Sequence, residues 1–328
     1  MRKPYVIGID IGGQSTKAGV VDARGNILVQ TTFDSRDIDT LKGYLDTLTA
    51  SLNKLIDNPQ VGGKDNVGGI GIGAPNGNYY KGTIEDAPNL KWAKDAAGNT
   101  KVVYLKDDVE KAMGLPVVVT NDANAAAQGE MIYGAAKGMK NFIEITLGTG
   151  VGSGIVIDGK IVYGHDGFAG ELGHTTSIRR TGRQCNCGRI GCLETYASAI
   201  GLARTARELL EMDPQRPSLL RNITADDITS KDVAEAAAKG DELSVEVFAF
   251  TGRLLGEAFA DFVAFSAPEA IVLFGGLAQA GDLIFEPTIR AMEDNLLSIW
   301  KGKVKIIPSQ LPGSEAAILG SAALAWEL

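Results

Sequence analysis

The stretch Tyr5-Val-Ile-Gly-Ile-Asp10-Ile-Gly-Gly-Gln-Ser15-Thr-Lys-Ala-Gly-Val20-Val-Asp22 decides how the chain is read. Residues 5–11 are dominated by β-branched side chains and predict a strand, which Gly12-Gly13 ends in a tight turn. A second strand follows near 16–22. The Arg24-Gly25-Asn26 turn then leads to a third near 26–33, giving an antiparallel meander. The same succession restarts in the middle of the chain. There a strand at 142–147 is followed by a glycine turn at 148–154, a strand at 154–157, the Asp158-Gly159 turn and a strand at 160–163. A doubly wound dinucleotide fold would alternate strands and helices from the start. Two copies of a meander, each followed by α/β units, predict an α/β protein of two lobes with a cleft between them.

Outward from these two stretches, Leu41, Tyr44, Leu45, Leu48 and Leu52 recur at helical spacing and predict a helix over 38–57. Residues 68–74 and 117–121 read as buried strands, the latter running into an Ala-rich helix at 123–133. Helices dominate 194–267, with a polar, Pro-containing loop at 213–227. A strand at 270–274, Gly275-Gly276, a helix at 282–299, a strand at 303–307 and a terminal helix at 315–327 complete the pattern.

Composition excludes several classes. The 328 residues are 45% hydrophobic and 22% charged, which supplies a core for two domains and argues against disorder. The net charge of −8, without a basic run, disfavours binding to nucleic acid, because neutralising phosphates needs clustered cations. No segment reaches the ~18 continuous apolar residues of a membrane span, and the run after Arg2 and Lys3 stops at Asp10, short of a secretory signal. A cytoplasmic protein is expected. Glycine is over-represented, at 41 residues against about 7% in ordinary domains, and it gathers in turns beside β-branched runs.

Those turns invite a phosphate reading. Gly-Lys at 63–64, 159–160 and 302–303 is never followed by Ser or Thr, so the Walker pattern fails, and Ser153 breaks a G-x-G-x-x-G at 148. What remains is a pair of strand-turn-strand loops, at 10–17 and 147–154. In each, Gly12-Gly13 or Gly148–Gly150 backbone could close around anionic oxygens, with Thr149 as an added donor and Asp10 as a Mg2+ ligand. The plainer account, two glycine-rich hairpins, stays open for either loop alone.

His174, Cys185, Cys187 and Cys192 follow the spacing H-x10-C-x-C-x4-C, and these are the only cysteines of the chain. Three thiolates and one imidazole form the closed tetrahedral shell of structural zinc, with three ordinary buried thiols as the alternative. Arg179, Arg180, Arg183 and Arg189 in the same loop read as a solvated surface. Asn121-Asp122 falls where a buried strand meets a helix, which fits either a helix cap at Asp122 or a side chain presented to a cleft. Glu171 and Glu194 bracket the cysteine loop. Carboxylates, an amide and an imidazole together suit a polyol whose hydroxyls need paired partners.

Taken together, Asp10-Ile-Gly-Gly, Asn121-Asp-Ala-Asn-Ala-Ala126, Leu147-Gly-Thr-Gly150, Gly170-Glu-Leu-Gly-His174 and Cys185-Asn-Cys-Gly-Arg-Ile-Gly-Cys-Leu-Glu194 resemble the ROK family of sugar kinases and repressors. The resemblance runs over essentially the whole chain and is nearest to the bacterial glucokinases of the family. It implies the two-lobed, actin-like/RNase H-like ATPase fold of the hexokinase, actin and Hsp70 superfamily, with residues 1–122 and 313–328 in a small lobe. Residues 123–312, including a zinc-binding loop at 174–192, would form the large lobe, and the nucleotide and sugar would meet in the cleft. Asp122 would be the general base, and Asn121, Glu171, His174 and Glu194 would hold the sugar, His174 sharing its ring between zinc and sugar. Gly77, Asn78 and Asn89 are weaker expected sugar contacts. Asp10, Gly12, Gly13, Gln14, Gly148, Thr149, Gly150, Gly275 and Gly276 would hold ATP. Gln14 stands where family members commonly have Thr, and Gly73-Ala-Pro-Asn-Gly77 replaces the more usual Pro-Gly.

The implied activity is ATP- and Mg2+-dependent phosphorylation of a hexose, with glucose first, at the entry to glycolysis, by a homodimer carrying structural zinc. N-acetylhexosamine and fructose remain open as substrates. The alternative from another class is a sugar-responsive repressor. Those carry a DNA-binding segment ahead of the first phosphate loop, whereas Asp10 lies near the start of this sequence, which favours the kinase.

Overall fold

The computed structural model describes residues 3–313 and 315–328. The chain divides into two units, one formed by Met1–Met139, Gly154–Gly170 and Gln310–Leu328, the other by Lys140–Ser153 and Glu171–Ser309.

The first unit is built on a five-stranded sheet. Strands β1 (Tyr5–Ile11), β2 (Ser15–Asp22) and β3 (Ile27–Asp34) form the expected meander, and β4 (Val67–Ala74) and β7 (Val117–Asn121) add to β1 in parallel, giving the order β3-β2-β1-β4-β7. Val6, Ile7 and Ile9 on β1, and Ile70 and Ile72 on β4, are all buried, as central parallel strands covered on both faces require. The edge strand β3 instead alternates exposed and half-buried residues. Helix α1 (Leu41–Ile56) starts later than the expected residue 38 because Thr40 caps it, its hydroxyl accepting from the Gly43 N–H at 3.2 Å. Its inward stripe places Tyr44 flat against Trp92, with ring centroids 3.9 Å apart, and the Tyr44 hydroxyl 2.8 Å from Thr16 Oγ1. The two-residue strands β5 (Gly77–Asn78) and β6 (Thr83–Ile84) pair with each other, and α2 (Leu105–Met113) precedes β7.

Helices α3 (Asp122–Ile132) and, from the end of the chain, α9 (Ala316–Ala325) pack against one another and against this sheet. The approach of α9 is unusually close. A Cβ on Gly8 or Gly71 would lie 2.1 Å from the Ile318 carbonyl oxygen or 1.9 Å from that of Ser321, so only glycine lets the helix backbone rest on the strands. The first unit includes α3 and residues 154–170, whereas the sequence reading ended the small lobe at residue 122.

The second sheet repeats the plan of the first. Strands β8 (Phe142–Leu147), β9 (Val151–Ile157) and β10 (Lys160–Ile161) form the meander, β11 (Ala270–Phe274) and β12 (Lys305–Pro308) add in parallel, and the order is β10-β9-β8-β11-β12. Because β9 begins at Val151, the glycine turn is only residues 148–150, shorter than the expected 148–154. In the second unit α4 (Glu194–Ala197), α5 (Ala199–Met212), α6 (Ser230–Ala238), α7 (Glu242–Ser266) and α8 (Asp282–Asn295) are mutually packed, α7 lying along α8. Among the described residues, no helix is long and apolar enough to cross a membrane.

Candidate functional site

The parallel strands of the first sheet deliver their functional residues at their carboxyl ends. Asp10, near the end of β1, pairs with Lys17 on β2 and with Gly73 on β4. Asp122 follows the last residue of β7. Gly73 makes room for the helices rather than for the acids: a Cβ there would lie 2.9 Å from Ser321 Oγ and 3.1 Å from Ala125 Cβ, while the Asp122 Cα at 3.6 Å is at ordinary contact distance. The helix cap is Asn121 rather than Asp122: the Asn121 Oδ1 accepts from the Ala123 N–H at 2.9 Å, and Asp122 is the first helical residue. Asp122 Oδ1 accepts from the same N–H at 2.8 Å.

Both acids have raised pKa values. The half-buried Asp10 is pushed up to about 6, first by desolvation and then by the charge of Asp122, with Lys17 opposing. Asp122 as a residue is exposed, yet protein surrounds its carboxyl over the longer range that governs solvation. That desolvation raises its carboxyl, against the Ala123 bond that favours the ionised form.

The Gly12-Gly13 turn is closed by the Gly12 N–H donating to the Ser15 carbonyl at 2.9 Å, and Gly13 lies against Asn89. With Gln14, Arg36, Asp37 and Lys91, these two line a groove of about 540 Å3. Asn89 therefore belongs beside the first glycine turn. Gly77 and Asn78, expected as weaker sugar contacts, are fixed by contacts within the protein. A Cβ on Gly77 would lie 2.2 Å from the Thr120 carbonyl oxygen, so this glycine serves packing on β7. Asn78 is fully buried; its Nδ2 donates to the Asp166 carbonyl at 2.7 Å and its Oδ1 accepts from the Tyr80 and Lys81 N–H groups. With both ends of its amide engaged, Asn78 is a structural tie. Asn76 takes the left-handed conformation (φ 51°) that the more usual glycine would adopt, a conformation Asn tolerates.

In the second unit His174, Cys185, Cys187 and Cys192 place one donor atom each within 4.8 Å of one another. Cys185 Sγ lies 3.7 Å from His174 Nδ1, and Cys187 Sγ lies 3.7 Å from Cys192 Sγ. Two Zn–S bonds of ~2.3 Å at a tetrahedral angle span about 3.8 Å, so the donor set and its spacing fit zinc. Nδ1 faces the thiols, while Nε2 is 4.0 Å from Glu171 Oε2. The imidazole thus offers one nitrogen to the cluster and turns the other toward Glu171.

Glu194, the first residue of α4, reaches back to the second glycine turn: its Oε2 accepts from the Val151 N–H at 3.0 Å and its Oε1 lies 3.8 Å from Cys185 Sγ. The turn is closed by the Gly148 N–H donating to Gly150, and the Gly148 carbonyl accepts from Ala199 at 2.8 Å. Gly275, with φ 101°, sits against Leu147, while Gly276 has nothing within 4 Å of where a side chain would begin. Arg183 was expected at a solvated surface and is instead buried. Its guanidinium donates to the Thr195 and Gly201 carbonyls, Thr205 Oγ1 and Glu208 Oε2, and lies 4.5 Å from the Tyr196 ring centroid. It ties the cysteine loop to α4 and α5.

The ROK family model matches residues 6–327. The chain belongs to the ROK family. It is 37% identical over 326 residues to a glucokinase of Streptomyces coelicolor, covering 98% of this chain and 97% of that one. It is also similar to a ROK family glucokinase from Streptomyces griseus solved with glucose and AMPPNP, at 36% identity and TM-score 0.79, over 99% of this chain and all of that one. A ROK family transcriptional regulator, a homologue of the E. coli MLC protein, matches at 28% identity and TM-score 0.86, over 98% of this chain and 78% of that one. The mixed α/β sheets of this ROK chain are those of the hexokinase-like ATPase fold. Within each unit, the family motifs converge: Asp10 with Asp122 in one, and Glu171, His174, the cysteines, Glu194 and the 148–150 turn in the other. Sequence reasoning missed Arg183, whose partners lie up to 25 residues away on helix faces, and the tie made by Asn78 across 88 residues.

Proposed function

We propose that this protein transfers the γ-phosphoryl group of ATP to a hydroxyl of glucose, giving glucose 6-phosphate and ADP. The observation that carries this reading is the pair of carboxylates at the ends of β1 and β7, in a chain that matches a glucose- and AMPPNP-bound glucokinase over nearly its whole length. Asp122, its pKa raised by desolvation, takes the proton from the attacking sugar hydroxyl as its oxygen bonds to the γ-phosphorus and the bond to ADP breaks. Asn121, Glu171, His174 and Glu194 orient the sugar, and the two glycine turns, with Gly275 and Gly276, hold the nucleotide. Asp10 would hold Mg2+, which neutralises phosphate charge when bound. His174, Cys185, Cys187 and Cys192 would hold zinc with four protein donors, and in that closed set the metal would fix the loop rather than activate a water.

The test is steady-state ADP release with ATP, Mg2+ and a panel of glucose, mannose, fructose, N-acetylglucosamine and N-acetylmannosamine. Glucose should give the highest kcat/KM, and Asp122→Asn should bind glucose while turning over roughly 10²–10⁴-fold more slowly. A variant with wild-type turnover would remove Asp122 from the role of base. A sugar-responsive regulator is the second reading, favoured by the likeness to the MLC homologue. It requires sugar binding by the wild-type protein without ADP release.

A further inference from the structure

The second glycine turn has a feature that phosphate binding does not account for. An alanine Cβ at Gly150 would meet only one neighbour within 4 Å, the Glu194 carboxylate, with Oε2 at 2.3 Å and Cδ at 3.3 Å. Backbone conformation does not require glycine there, because Gly150 is absent from the residues with positive φ, unlike Gly275 at 101°. Its neighbour Gly148 has nothing within 4 Å at all. Of these two glycines in one turn, Gly150 alone makes way for something the protein itself supplies.

We propose that Gly150 is a positioning residue for Glu194: the missing side chain lets the Glu194 carboxylate reach the Val151 N–H, and this seat sets the carboxylate for the sugar. The inference rests on the kinase reading, in which Glu194 binds a sugar hydroxyl. One carboxylate oxygen is held by Val151 at 3.0 Å, and the other lies 3.8 Å from Cys185 Sγ. Val151 is also the footing of the turn that carries Glu171 and His174. A Cβ on Gly173 would lie 2.1 Å from the Val151 carbonyl oxygen, and the Leu172 N–H donates to Ser153 Oγ on the same strand. Three candidate sugar ligands are therefore registered against the first residue of β9, directly beside the turn expected to hold phosphate. A rigid seat of this kind limits the freedom a ligand must lose on binding.

Gly150→Ala separates the two explanations of this glycine. The only clash is with the far end of a flexible side chain, so the variant should fold with the Tm of the wild type. Glucose KM, and the glucose Kd measured by calorimetry, should rise about 10–100-fold, the scale of losing one charge-assisted hydrogen bond. The calorimetric Kd, measured without nucleotide, reads the loss at Glu194 apart from any change in ATP binding. A rise in the KM for ATP with unchanged glucose affinity would assign the glycine to phosphate and overturn the proposal, as would loss of the fold. In a Glu194→Ala background, Gly150→Ala should cost no further glucose affinity, whereas additive losses would show that it acts elsewhere. Should the wild type bind glucose without ADP release, the kinase reading fails, and the calorimetric cycle still decides the Gly150–Glu194 pair.

Discussion

The turn after β1 and the turn after β8 occupy equivalent places in two sheets of the same strand order, but they are held by different means. The first is closed by its own backbone, Gly12 to Ser15, beside Asn89 and an acid, Asp10, whose pKa is near 6. The second, besides its own Gly148-to-Gly150 bond, is clasped from outside, by the Glu194 carboxylate at Val151 and the Ala199 N–H at Gly148. One turn therefore carries its chemistry within the hairpin, and the other depends on a loop more than forty residues further on. The lesson is that a duplicated backbone motif does not imply duplicated surroundings: the first turn lies beside a desolvated acid, and the second is fixed by a carboxylate from a distant loop.

Asp10→Asn should give the largest break in this comparison on the side of stability. The folded pKa of Asp10, about 6, lies above the ordinary 3.8, so the fold favours the protonated acid. Its contribution is fully present below pH 3.8 and is lost as pH rises through 6. The difference is of the order of 3 kcal/mol for a shift of about two units. The Asn variant should therefore gain stability over the wild type progressively between pH 4 and pH 7, measured by urea denaturation at both ends. A gap independent of pH would mean that Asp10 titrates normally. No such slope should follow any substitution in the 148–150 turn, which contains no acid.

The second turn should answer instead to the cysteine cluster. Cys187 is exposed, so Cys187→Ser removes one of the four donors proposed for zinc with little direct loss of packing. Elemental analysis should find one zinc per wild-type chain and a marked loss in the variant. Glucose affinity should fall about 10–100-fold, because Glu194, His174 and Glu171 lose a common support. A folded, zinc-free protein with unchanged glucose affinity would separate the cluster from the sugar. The smallest effect is expected from Gly148→Ala. With nothing within 4 Å of the new methyl group, stability should change by less than ~0.5 kcal/mol. The KM for ATP, rather than for glucose, should respond, and the reverse pattern would contradict the division of labour between Gly148 and Gly150.

The features legible in the sequence are those whose cause is local. Alternating or continuous β-branched runs gave the strands of both meanders, and helical spacing gave α1, although the Thr40 cap moved its start to Leu41. The cysteine spacing made a cluster that the folded chain assembles within 4.8 Å. Features that depend on distant neighbours were not legible. Nothing near Asn78 announces that residue 166 will take up its amide, and nothing near Gly150 announces a carboxylate from residue 194. Arg183 belongs with Arg179, Arg180 and Arg189 by composition, and only the packing of α4 and α5 distinguishes it. The assignment of the cap to Asn121 instead of Asp122 turned on one residue of register, with Asp122 sharing the same Ala123 N–H from the first helical position.

The glycine floor beneath α9 has a consequence for the order in which the protein can be made. The first sheet is nearly all encoded before residue 122, yet its Gly8 and Gly71 surface fits the backbone of a helix that begins at Ala316. On the ribosome, every strand of that sheet and the entire second unit emerge before this covering helix exists. The unit translated first is thus the last to close its core, and until then its sheet presents bare backbone where a single late helix must lie.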